Sequence, residues 1–121
     1  MNAIPPGSSL EKKKYELIML NGMDIGVIDY VVNYPDEDAI YIGLFMIDGN
    51  FHRSGYGREY IEEFIPRIKN EGFKRIRLGV LDGNKTALKF WTNIGFKIEK
   101  EVISTIHPER NWKIKVMELM I

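Results

Sequence analysis

Tyr15, Leu17 and Met19 alternate with Glu16, Ile18 and Leu20, the two-residue period of a strand. Asn21-Gly22 then supplies the left-handed backbone of a tight turn, and a second strand is predicted over 25–34. Pro35 with Asp36, Glu37 and Asp38 breaks that strand. Residues 40–47 are apolar on both faces apart from Tyr41 and Gly43, which predicts a third strand at the centre of a sheet. After Gly55 the period changes. Tyr56, Tyr60, Ile61, Phe64, Ile65 and Ile68 recur at helical spacing, while Arg58, Glu59, Glu62, Glu63, Arg67 and Lys69 face elsewhere. Gly72 sits where a helix of this length ends, and Pro66 deprives the Glu62 carbonyl of its donor, which predicts a bend.

Ile76, Leu78 and Val80 mark one face of the next strand, followed by a turn at Asp82-Gly83. A short helix over 85–94 carries Ala87, Leu88, Phe90, Trp91 and Ile94, and Gly95 stops it. Two last strands, 96–106 and 112–121, are joined through His107, Pro108, Glu109, Arg110 and Asn111. The predicted order is β-β-β-α-β-α-β-β. The fold class is α/β (α+β), a mixed sheet flanked by two main helices, with no internal repeat. Residues 1–14, with Pro5, Pro6, Gly7, Ser8 and Ser9, read as a loose arm, and 15–121 as one domain.

The chain has 121 residues, enough for one core and not for two. Lys plus Arg and Asp plus Glu both count 17, so the net charge is zero. That removes the simplest argument for a nucleic acid or an anionic membrane as partner, since both rely on a positive field. Cysteine is absent, which excludes disulfides, thiolate metal sites and any cysteinyl intermediate. Two distant histidines do not make a metal site. No signal-peptide order and no apolar run of about 20 residues is present, so the expected compartment is the cytoplasm.

The densest chemical signal is His52, Arg53, Ser54, Gly55, Tyr56, Gly57 and Arg58, between the apolar third strand and the amphipathic helix. Two glycines one residue apart let the backbone turn tightly and approach a ligand, and the helix start offers unpaired N–H groups. With Arg53 and Arg58 these form a cradle for a phosphate or pyrophosphate. A tight strand-to-helix turn with solvated arginines accounts for the same residues. Neither a P-loop ending nor Rossmann spacing is present. In the second helix Asn84, Ala87, Phe90 and Trp91 share one side. Ala87 leaves room for a slender ligand, Asn84 serves as a helix cap or a ligand contact, and Phe90 and Trp91 pack on the sheet or line a cleft.

Together these segments resemble the GNAT superfamily of acyl-CoA-dependent N-acetyltransferases. Its glycine signature, Gln or Arg, two residues, Gly, one residue, then Gly or Ala, is similar to 52–57 with His52 in first place. Its Asn, Ala, Phe, Tyr, Gly, Phe run is similar to Asn84, Ala87, Phe90, Trp91, Gly95 and Phe96. The resemblance implies a mostly antiparallel twisted sheet and acetyl-CoA as cosubstrate, its pyrophosphate held by the backbone of 53–58. It also implies that Phe45, Met46 and Ile47 splay from the neighbouring strand to bond the pantetheine arm, with Asn84, Ala87 and Phe90 around the thioester. The implied reaction is direct attack by an amine of a small molecule or polypeptide on the acetyl thioester.

The chain departs from the family at Trp91, where a tyrosine often protonates the leaving thiolate; an indole N–H lacks that acidity. The segment before Tyr15 is also shorter than usual, which leaves the acceptor cleft open or completed by a second copy. A homodimer is therefore expected, with contacts through the two C-terminal strands carrying Trp112, Ile114, Val116, Leu119 and Ile121. Tyr41 and Tyr34, with Tyr30, are the candidate general bases for the acceptor nitrogen, the acid's role being vacant or filled by solvent or another tyrosine, whereas Asp29 and Asp48 read as solvated strand-edge carboxylates. The alternative function is an acyl-CoA-binding protein with little or no turnover.

Overall fold

A computed structural model describes residues 13–51, 55–104 and 108–121. Strands β1 (Lys13–Leu20), β2 (Met23–Val32) and β3 (Ala39–Ile47) are followed by α1 (Tyr56–Asn70), β4 (Arg75–Leu81), α2 (Lys85–Ile94), β5 (Lys97–Ile103) and β6 (Lys113–Met120). The predicted order holds throughout. Strand β1 begins two residues early, because Lys13 and Lys14 already pair with Val31 and Tyr30. Residues 1–12 of the expected arm lie outside the described residues, as do Thr105, Ile106 and His107.

The six strands form one sheet in the order β1-β2-β3-β4-β6-β5. All neighbours are antiparallel except β3 and β4, which run parallel from Ala39↔Arg75 to Ile42↔Leu78. The central place expected for β3 follows from its apolar faces. The hairpin between β1 and β2 turns on Asn21 and Gly22, at φ 51° and 81°, the left-handed pair that a two-residue turn requires.

Both helices lie on one face of the sheet. Ile61, Phe64 and Ile68 of α1 and Trp91 of α2 share a core with Ile28 and Tyr30 (β2), Ile40 and Ile42 (β3), Ile76, Leu78 and Val80 (β4), Met117 (β6) and Phe96. Helix α1 runs without a break through Pro66, and Gly72 follows its end at φ 101°.

Two features correct the sequence reading. Strand β6 lies between β4 and β5, so only β5 of the two C-terminal strands is an edge. Asp29 is a fully buried side chain at 0% exposure. Its strand is interior, with β1 paired on one side and β3 on the other, so it is not at an edge, and its carboxylate is buried on the face opposite the helices.

Candidate active site

The register between β2 and β3 slips between Asp29 and Tyr30. Tyr30 pairs with Ile42 and Asp29 with Leu44, which leaves Gly43 as an extra, bulged residue. The parallel pairing with β4 ends one residue earlier, at Ile42. Beyond it Phe45, Met46 and Ile47 stay paired to β2 while β4 goes on only with β6. The splay implied by the family resemblance is therefore present.

A cleft of about 750 Å³ fills the gap. One wall is Phe45, Met46 and Ile47; the other is the cap and first turns of α2, with Asn84, Thr86, Ala87, Phe90 and Trp91. Phe51, Gly55, Gly57 and Arg58 line it from the segment that leads into α1. Two of these, Phe51 and Thr86, were not expected. Phe51 arrives through a single turn in which its N–H donates to the Asp48 carbonyl at 2.8 Å, and no periodicity marks such a turn. Thr86 simply rides on the first turn of α2. Tyr56 is not among the lining residues; its ring tilts against Phe51 at 5.9 Å. His52, Arg53 and Ser54 lie outside the described residues.

The anion end of the cleft is built by backbone. Gly55 precedes α1 at φ 80°, a left-handed conformation that disfavours other residues. The first helical bond runs from Glu59 N–H to the Gly55 carbonyl at 3.0 Å. The N–H groups of Tyr56, Gly57 and Arg58 therefore precede any intrahelical acceptor and sit at the positive end of the helix dipole. Arg58 adds a guanidinium whose ion pair with Glu62, 3.5 Å and exposed at both ends, is too weak to hold it from an anion. A Cβ on Gly57 would touch Ile47 Cγ1 at 3.5 Å and Phe45 Cε2 and Cζ at 3.6 Å, so this glycine leaves open space at the cleft surface.

The inner end is aromatic. Phe45 stacks on Tyr60 at 6.3 Å and Phe90 at 5.8 Å, and meets Trp91 edge-on at 5.6 Å. Trp91, 7% exposed, is held in turn by Phe96 at 5.2 Å. Asn84 is the cap of α2, its Oδ1 accepting from Ala87 N–H at 3.1 Å. The capping role commits Oδ1 to the backbone.

The candidate tyrosines have different fates. Tyr30 is buried under α1, edge-on to Phe64, and its hydroxyl donates to Glu16 Oε2 at 3.4 Å. Burial and the adjacent Glu16 charge push its phenol up to about 12, which unsuits it as a base. Tyr60 donates to Glu16 Oε1 at 2.6 Å and Arg67 Nη2 donates to the same oxygen at 2.8 Å. Burial by itself would raise the Glu16 carboxyl, but these donors and the Arg67 charge hold it below the usual range. Tyr41 lies on the sheet face opposite the helices, because its neighbours Ile40 and Ile42 point into the core. Burial raises its phenol. Its hydroxyl rests over Gly79 of β4, where a Cβ would lie 3.1 Å away. Tyr34 packs edge-on against Tyr41 at 5.8 Å.

Asp48 is exposed and accepts from Asn50 N–H at 2.9 Å, a turn-forming role. Asp36 and Asp38 both pair with Arg75, which also meets Glu118, so these two loop carboxylates are tied to the sheet.

The acetyltransferase (GNAT) family profile matches residues 13–96, and the chain belongs to that family. An uncharacterized N-acetyltransferase of Methanocaldococcus jannaschii is 28% identical over 88 residues, 69% of this chain and 38% of that protein. The chain thus spans well under half the length of this curated relative. Among solved structures, a GNAT family acetyltransferase from Elizabethkingia anophelis with acetyl-CoA bound superposes with a TM-score of 0.82 at 16% identity, over 93% of this chain and 78% of that one. An IAA acetyltransferase from Bacillus cereus gives 0.79 at 14% identity, over 92% and 79%. The ribosomal-protein-S18-alanine N-acetyltransferase of Escherichia coli gives 0.75 at 20%, over 93% and 72%. At these identities the likeness is one of fold.

Proposed function

We propose that this chain transfers an acetyl group from acetyl-CoA to an amine by direct attack. The observation that carries this reading is the cleft at the β3–β4 splay, with helix N–H donors and Arg58 at one end and an aromatic wall at the other. The dimensions and donors suit a long ligand with an anionic head and a slender neutral arm. Family membership and the acetyl-CoA in the Elizabethkingia structure support the same ligand. Bound there, acetyl-CoA would supply an activated acyl group. This chain's part is to hold the pyrophosphate on Tyr56, Gly57 and Arg58, lay the arm along Phe45–Ile47, and seat the acyl end near Ala87 and Phe90.

Tyr41 is the proposed proton donor for the departing thiolate. It sits one residue before the end of the β3–β4 pairing, with its hydroxyl over Gly79 of β4, and a phenol carries its proton at neutral pH. Tyr34 positions it by ring contact. Tyr41→Phe is expected to lower kcat at least tenfold with the acetyl-CoA affinity unchanged.

The second reading, an acyl-CoA binder with little turnover, is favoured by Trp91, which fills a position where the family often has a phenol. Calorimetry with acetyl-CoA and thiol release across a panel of amines separate the two. Tight binding without thiol release supports the second reading, and no binding at all removes both. The proposed setting is cytoplasmic, and no described helix is long and apolar enough to cross a membrane. A homodimer is proposed through β5, an edge strand exposed along its whole length, with Ile98 and Ile103 about half exposed. Light scattering over a dilution series tests it: the mass of one chain throughout, with full turnover, refutes the dimer.

A further inference from the structure

Asp29 is the one fully buried charged side chain among the described residues, and neither of its oxygens accepts a hydrogen bond. Burying a carboxylate without such bonds is strongly unfavourable, and an ion pair with Lys13 offsets part of that cost. Its surroundings show where it is aimed. Asp29 lies on the face opposite the helices, and a Cβ on Gly43 would sit 2.7 Å from Oδ1. Gly43 is the bulged residue next to the end of the β3–β4 pairing. Phe45, the first wall of the cleft, is two residues on, about 7 Å along an extended chain. The Tyr41 hydroxyl lies over Gly79 on the neighbouring strand, roughly one strand spacing, about 5 Å, to the side.

One cation already faces this carboxylate. Lys13 Nζ stands 3.6 Å from Oδ1, an ion-pair distance longer than a hydrogen bond. Arg75 and Arg77, also on this face, are committed to Asp36 and Asp38 and to Glu99 and Glu118.

We propose that Asp29 holds the ammonium group of the acceptor and selects a cationic alkyl primary amine, with Lys13 standing in its place in the free protein. The proposal rests on the acetyl-transfer reading and names the acceptor class for it. The missing side chain at Gly43 makes room for Asp29 Oδ1 at the bulge, and the incoming ammonium reaches the buried carboxylate by taking the place of that of Lys13.

The test titrates n-butylammonium chloride into the full chain and follows the Gly43 and Gly79 amide resonances, with n-butanol and sodium chloride as controls. Saturable shifts are expected with the ammonium alone. Binding should weaken at least fivefold in Asp29→Asn and tighten at least threefold in Lys13→Met. Asp29→Asn gives up the Lys13 ion pair but no hydrogen bond, so it should fold, with a loss of Tm that adding Lys13→Met to the same chain removes. Absence of an ammonium-specific shift in both the unaltered protein and Lys13→Met overturns the proposal. So do equal affinity in Asp29→Asn, an Asp29→Asn variant that does not fold, and unchanged affinity in Lys13→Met. Calorimetry with acetyl-CoA on the same samples keeps the two readings apart: failure to bind it sinks the acetyl-transfer reading, while ammonium binding at Asp29 is judged on its own shifts.

Discussion

Gly57 offers the sharpest test of the anion cradle, because the structure separates its effect on folding from its effect on binding. A methyl group there would sit at 3.5–3.6 Å from Ile47 and Phe45, ordinary contact distances. It would also replace glycine in the first turn of α1, where alanine is favoured by up to about 1 kcal/mol. Gly57→Ala should therefore keep or raise stability, by up to about 4 °C in Tm for a domain of this size. Its Cβ only skirts the cleft surface, so CoA affinity should change less than about threefold. Gly57→Leu is different. Three further carbons project from the same Cβ into the space over the N–H groups of Tyr56, Gly57 and Arg58. Losing one or two charge-assisted hydrogen bonds at about 1.5 kcal/mol or more each weakens binding at least tenfold. The assay is calorimetry with CoA beside thermal unfolding of both variants. A folded Leu variant that binds CoA within threefold of the unaltered protein would show that the pyrophosphate does not sit on this turn.

Trp91→Phe should change turnover less than about threefold, since it removes no acid, while the lost packing costs about 1–2 kcal/mol in denaturant unfolding; a hundredfold loss of turnover in a stable variant would give Trp91 a chemical role. Glu16→Gln should destabilise the fold by about 1–2 kcal/mol at pH 7, a low value for bonds to a charge because Arg67 is half exposed. Glu16 has a depressed folded pKa, so its stabilisation is complete above the unfolded carboxylate range and fades as pH falls through the folded value. The two proteins should therefore converge in urea unfolding at acid pH, and a gap that stays constant with pH contradicts the network. Gly79→Ala places a Cβ 2.8 Å from Ile114 Cγ2 and 3.1 Å from Tyr41 Oη, an overpacking cost of about 1–3 kcal/mol; an unchanged unfolding midpoint would refute that close approach.

What the sequence determined by itself was whatever depends on neighbours within a few residues. Asn21-Gly22 specifies its turn because the backbone must pass through positive φ twice. Gly55 starts α1 and Asn84 caps α2 for equally local reasons. The change from period two to helical spacing after Gly55 was enough to order every element, and the spacing of Gly55, Gly57, Asn84 and Ala87 already outlined two sides of the cleft.

How the strands meet is a matter of contacts between distant parts of the chain. The slip that bulges Gly43 is a relation between β2 and β3, and the end of the β3–β4 pairing is a relation between strands more than 30 residues apart. No window along the chain contains either. The insertion of β6 between β4 and β5 moved the expected edge. Asp29 shows the same limit: an aspartate in a strand reads as exposed because burying its charge is costly, and its burial beside Lys13 of the neighbouring strand appears only once the sheet is assembled. That Phe51 and Thr86 line one cleft, and that Arg75 pairs with Asp36 and Asp38, likewise depends on segments far apart in the chain, where local period carries no information.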